Sequence, residues 1–248
     1  VLGEAPSHPE LLDYLAADFV ESGWDVKRLI RRIVLSSVYG EASVALSDAS
    51  VGDPANRLLH RARVRRIPAE SIRDALLAIS GTLDRTPFGP SVPIFLNDFM
   101  RHNRSPATSG PLDGARRRSI YLEVRRNALS HFLAAFDKPA PFTCVGRRTK
   151  SNNPAQPLTL LNDPLVHQLV STWAEQLTSE FAEDQLALVH AYRAALGRAP
   201  TQTELDASQQ WLIARVSNAT DDALGARRQA WRDLCLALVN SKEFVYLP

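Results

Sequence analysis

The residues best equipped to do chemistry in this 248-residue chain are arginines. Arg61, Arg63, Arg65 and Arg66 crowd one short stretch, and Arg116, Arg117 and Arg118 run together. Arg125 and Arg126 follow, and Arg147 and Arg148 stand just before Lys150. Of the 29 basic residues, 25 are arginine. The guanidinium fork matches carboxylate, sulfate or phosphate with two parallel hydrogen bonds, which a lysine cannot do. Arg116, Arg117, Arg118, Arg125, Arg147 and Arg148 are therefore the predicted anion- or partner-binding set. Three occupants compete for them: carboxylates of this chain or of an acidic partner domain, an anionic polysaccharide, and nucleic acid. Nucleic acid is the weakest of the three. Aromatics make up only 7% of the chain and the pI is about 8.7, short of a dedicated binder. A G- and C-rich genome would also raise arginine content with no site behind it.

Other chemistry is sparse. His8, His60, His102, His131, His167 and His190 form no HExxH pair and stand beside no cysteine at ligand spacing, so no metal site is assigned. Asp98 and His102 are four apart, but in a stretch that reads as loop. Cys144 and Cys235 match no redox or zinc motif, and one disulfide or two free thiols fit equally well. Cys144 precedes Gly146-Arg147-Arg148, a setting that favours a reactive thiolate, with burial or a disulfide as the plainer reading. Glycine-rich phosphate loops, GxSxG and SxxK are all missing, so no nucleophile, nucleotide or resident cofactor is assigned to this chain. Paired carboxylates can converge from any distance, and Asp98, Asp113, Glu123 and Asp137 lie in or near the loop-rich middle where sites tend to form.

The elements that must position these residues read as helices on either side of that middle. A 45% hydrophobic, 23% charged composition suits a globular protein with a sizeable core. No apolar run approaches the roughly 18 residues that span a bilayer. The chain opens at Val1 with neither an initiator Met nor a signal-type stretch, so it reads as a piece of a larger protein. Residues 1–56 carry 4 basic and 9 acidic side chains, residues 57–148 carry 17 and 7, and residues 149–248 carry 8 and 11. Ser7-His8-Pro9-Glu10 predicts a capping box before a helix with Leu11, Leu12, Leu15 and Phe19 on one side. Asp25 then caps the clearest amphipathic helix. Val26, Leu29, Ile30, Ile33, Val34 and Val38 share one face, and Lys27, Arg28, Arg31 and Arg32 the other. A third helix covers Pro68–Leu83. Prolines and glycines break the pattern over 86–114. Ser119–Val124 reads as a short strand, Ala128–Phe136 as a helix and Pro139–Pro157 as loop. Helices resume from Asp163-Pro164 to Phe181 and from Asp184 to Leu196. Thr201 and Glu204 make a second capping box before the next helix, and the last one buries Trp231, Leu234, Cys235, Leu238 and Val239. The expected fold is mainly α: a multi-helix, bundle-like domain over 1–248 with a loop-rich middle and at most one short strand pair. Its expected subdivisions are 1–85, 86–157 and 158–248.

Ten ordered phrases carry a family resemblance. Pro6–Asp13, Gly23–Lys27, Asp53–Leu59, Glu70–Asp74, Gly89–Val92, Arg117–Tyr121, Phe136-Asp137, Leu160–Pro164, Gly197–Thr201 and Asn240–Tyr246 resemble the planctomycete secreted family called domain of unknown function 1553. Glu123 departs from the proline or aromatic expected there, and the loop after Cys144 diverges. The resemblance implies a C-terminal module of a long exported protein, extracytoplasmic, with a cytochrome c-type domain and a second uncharacterised domain upstream. Haem would belong to that upstream domain, and upstream domains of the same protein are the implied partners. The family supplies no catalytic residue to carry over. Two functions stay open: a non-catalytic interaction or accessory module, and a carbohydrate-active or sulfated-glycan-binding module with its site in the 86–157 loops.

Overall fold

A computed structural model describes residues 5–44, 52–97, 100, 108–126, 128–142, 144–217 and 222–247. Residues up to Arg65 form one compact unit and Arg66–Leu247 another.

In the first unit, Pro9 opens helix α1 (Pro9–Glu21), where its fixed φ suits the first turn. The expected Ser7–Glu10 capping box does not form: the cap position falls one residue later, at His8, and the Ser7 hydroxyl meets His8 Nδ1 at 3.0 Å. Gly23 and Trp24 take φ of +71° and +65° to reverse the chain. Asp25 then caps α2 (Val26–Val34) as expected, accepting the Arg28 N–H at 3.0 Å. Further on, the Asp53 carboxylate accepts the Arg57 and Leu58 N–H groups at 2.9 and 2.7 Å. Those two backbone hydrogen bonds hold its pKa below the usual carboxylate value. The Asn56 side chain, buried at φ +52°, donates to the Arg61 carbonyl.

The second unit begins beside the strand pair β1 (Arg65–Arg66) and β2 (Tyr246–Leu247), where the Ile67 N–H donates to the Val245 carbonyl. Helix α3 (Ala69–Ile79) buries Ile72, Leu76 and Leu77 completely and stops at Ser80, with Gly81 at positive φ just beyond. It packs on α4 (His131–Ala135) and on α6 (Pro164–Glu180), which places it in the core of this unit. Helix α4 is shorter than expected, with Ser130 as its cap, and α5 (Ala155–Asn162) starts inside the stretch read as loop.

Asp163 caps α6 by accepting the Leu165 N–H at 2.8 Å, and Pro164 sits at its first position. Seven residues of α6 are buried, from Leu165 to Leu177. Their main counterpart is α9 (Ala223–Val239), which contributes Ala230, Trp231, Cys235, Leu238 and Val239. A fully buried Leu or Val is worth about 1.5–3 kcal/mol of transfer free energy, so this contact contributes several kcal/mol before entropy is counted. Helix α7 (Asp184–Leu196) ends at Gly197, whose φ of +71° is the left-handed cap that glycine adopts without strain. Asp184 accepts the Trp231 indole N–H and an Arg227 N–H, so the buried indole is satisfied. Helix α8 (Gln202–Ser217) opens with the Thr201–Glu204 capping box, and α10 (Lys242–Val245) closes the order. The fold is thus mainly α, with one two-stranded sheet among the described residues.

The expected strand at Ser119–Val124 is absent. Ser119–Tyr121 is a 3-10 turn, followed by the single bridge of Leu122 with Val92. The cause is tertiary. The Ser119 N–H is taken by the Asp74 carboxylate at 2.7 Å, which removes the first donor a strand would need.

Candidate functional site

The loop-rich middle is built around a buried cation that reading the sequence missed. Arg73 points inward from α3 with only 2% exposure. It donates to the Arg117 carbonyl at 2.9 Å, the Ser119 hydroxyl at 3.1 Å and the Asp113 carbonyl at 2.5 Å. Burial lowers its pKa, and Asp74 and Asp113 oppose that shift. One signal was available: Arg73 lies within the Ile72–Leu76–Leu77 face, where a solvated arginine does not belong.

The loop closes over this guanidinium by unusual backbone. Gly114, Ala115 and Arg116 take φ of +60°, +52° and +61° in succession, and left-handed conformations at non-glycine residues cost free energy that the surroundings must offset. A Cβ on Gly114 would run into Arg73 and Leu122. Gly110 is equally constrained: a Cβ there would strike the Pro93 carbonyl, and its N–H donates to Ile94 at 2.8 Å.

Around this frame the predicted arginines separate into two kinds. Arg117 donates to the Thr86 and Phe88 carbonyls and lies 3.9 Å over the Tyr121 ring. Arg118 pairs with Asp74 at 3.4 Å. Arg148 forks onto Glu70, one turn away on the same helix, at 2.8 and 3.0 Å. Arg125 pairs with Glu123 at 2.6 Å. Arg116 and Arg147 are exposed, and neither guanidinium has a hydrogen bond or ion pair among the described residues. Arg118 and Arg148, 30 positions apart in sequence, are thereby brought onto one helix, α3. Lys138 is half-buried nearby. Burial lowers its pKa, Glu70 opposes the shift, and Arg148 and Arg73 add to it.

Of the candidate carboxylates, those of Asp137 and Glu123 are taken up within the unit. Asp137 accepts from Arg66, from the Ser151 N–H at 2.7 Å and from the Ser151 hydroxyl at 2.8 Å. Glu123 is held by Arg125, and the Asp113 carbonyl is held by Arg73. Asp98 and His102 lie outside the described residues. A cleft of about 130 Å³ opens among Arg73, Asn97, Ser130, His131 and Asp163. Burial raises the pKa of Asp163, while the Leu165 and Val166 N–H groups and then His131 and His167 pull the other way. This carboxyl is already the cap of α6, and no second carboxylate lines the cleft among the described residues. Among the described residues, the two-carboxylate geometry of glycoside hydrolysis is not assembled there. Among the described residues no three His, Cys, Asp or Glu side chains come together as a metal site, and no helix is long and apolar enough to cross a membrane. Cys144 is exposed and Cys235 is buried, and both are free thiols.

The family model described as PSD1, protein of unknown function (DUF1553), matches residues 1–212. No curated protein and no solved structure matches the chain.

Proposed function

Since the chain belongs to the DUF1553 family, we propose that it is a non-catalytic interaction module of a larger, exported, cytochrome c-associated protein and docks against that protein's upstream domains. The observation that carries this reading is the engagement of Arg117, Arg118, Arg125 and Arg148 by carbonyls and carboxylates of their own unit. These guanidinium groups already have partners within the unit. Arg116 and Arg147 remain open to an acidic surface. A rim of exposed cations of this kind tunes encounter rate and partner choice more than raw affinity. The test is calorimetric titration of the chain against the separately produced upstream domains at low and moderate salt. Saturable binding that weakens with salt and with Arg116→Ala plus Arg147→Ala supports the reading. No heat with any upstream domain rejects it.

A second reading draws on the same two open guanidinium groups together with exposed Lys150: a weak site for sulfated polysaccharide. A screen against sulfated and neutral glycans separates the two. Binding to sulfated chains alone, lost in the same double variant, would favour the glycan.

A further inference from the structure

The first unit carries an apolar surface that its own helices do not cover. No residue of α1 or α2 is buried. Leu15, Phe19 and Leu29 are half-buried, and Phe19 meets Trp24 edge-on at 5.2 Å. The rest of the apolar stripe stays open, with Leu12 55% and Ile30 54% exposed. Helices of 13 and 9 residues are too short to persist in water on propensity alone. A contiguous exposed apolar face on such a pair marks an interface.

Charge says what fits it. Helical periodicity puts Leu12, Ala16 and Val20 in one row bordered by Asp13. On α2 it puts Ile30 and Val34 in a row bordered by Lys27 and Arg31. Asp18 is used within the hairpin, by Arg28 at 3.2 Å and Arg32 at 2.7 Å. Asp13, Lys27 and Arg31 have no ion pair among the described residues. The face is therefore acidic along its α1 edge and basic along its α2 edge. A partner of uniform charge would be repelled along one edge. A copy of the same hairpin, related by a two-fold axis running along the helices, lays α1 antiparallel on the partner's α2 and satisfies both edges at once.

We propose that the α1–α2 hairpin is the isologous interface through which two copies of this chain associate, with Asp13 of each facing Arg31 of the other. Light scattering behind size exclusion tests this on the whole chain. The expected mass is twice 27.4 kDa. Ile30→Asp with Val34→Asp should return it to the single-chain mass with unchanged helical circular dichroism. Arg31→Glu should weaken the dimer by about tenfold, the factor that 1.4 kcal/mol of lost pairing gives. Adding Asp13→Lys to that variant should restore it. A single-chain mass for the unaltered protein at ~100 µM, far above the micromolar range of ordinary specific association, overturns the proposal. So does a dimer that persists in the Ile30→Asp, Val34→Asp variant, or a charge reversal that Asp13→Lys does not rescue.

Discussion

The guanidinium of Arg66 meets the carboxylate of Asp137 across 71 positions of sequence, and both are withdrawn from water: Arg66 keeps 5% of its side-chain exposure and Asp137 keeps 17%. The pair is not isolated. Arg66 also donates to the Ser151 and Phe136 carbonyls, and Ser151 takes a hydrogen bond from the buried Gln156. One knot thus ties β1, the turn after α4 and the start of α5.

Asp137→Ala should cost about 3–5 kcal/mol, because removing one partner of a buried pair strands the other charge. Asp137 also sets a pH dependence. Burial raises its pKa, but the hydrogen bonds from the Ser151 N–H, Arg66 and the Ser151 hydroxyl outweigh burial and leave it below the ordinary value of 3.8. Its contribution is therefore present above about pH 3.8 and is lost as pH falls through the lower folded-state value. Urea melts at pH 6 and pH 3 check this: the alanine variant should lose less stability than the wild type on acidification. Equal losses in both would contradict it.

Gly114→Ala and Arg73→Met should be destabilising by similar amounts, on the order of 2–4 kcal/mol. The first drives a Cβ into the guanidinium, and the second leaves the Arg117 carbonyl without a donor and the Asp113 carbonyl with the Arg116 N–H alone. Because both act on one contact, the double variant should cost less than the sum of the singles. Chemical denaturation of the four proteins measures the coupling, and strict additivity would mean the loop is held by something else.

Arg148→Ala should be nearly silent. Its fork on Glu70 has good geometry, yet the Arg148 side chain keeps 51% exposure. An ion pair that open is worth about 0–1 kcal/mol. Thermal melts of Arg148→Ala and Arg73→Met side by side separate a surface pair from a buried hub. A loss above about 2 kcal/mol for Arg148→Ala would place it in the frame of the loop.

What could be read in advance was whatever is decided locally. Gly197 stops α7 and Thr201–Glu204 opens α8 through contacts a few residues long, and both stand where the pattern puts them. Ser7 and Glu10 satisfy the same pattern, but the cap position falls at His8, one residue on. Ser119–Val124 has the composition of a strand, yet Asp74, 45 positions earlier, captures its first N–H. The arginine set was visible, but its partners were not: Glu70 lies 78 positions from Arg148, and Asp74 lies 44 from Arg118. Periodicity finds which face of a helix is apolar, while the charge that loops bring back to that helix is a property of the closed fold.

The two thiols should differ in reactivity by orders of magnitude. Cys144 is exposed, so a disulfide-exchange reagent should titrate it in the native protein within minutes. Cys235 is fully buried on α9 where that helix meets α6, and burial alone drives its pKa far up, so the attacking thiolate is suppressed as well as inaccessible. Its modification must wait for the α6–α9 contact to open. That opening belongs to the unit's core, so its free energy should approach the global stability of about 5–15 kcal/mol, slowing reaction at least a thousandfold. Mass spectrometry should find one adduct under native conditions and two in 6 M guanidinium. The slow second rate should rise in parallel with the destabilisation caused by Asp137→Ala. Two fast adducts in the native state would show that α9 opens on its own, and no native adduct would show that Cys144 is covered.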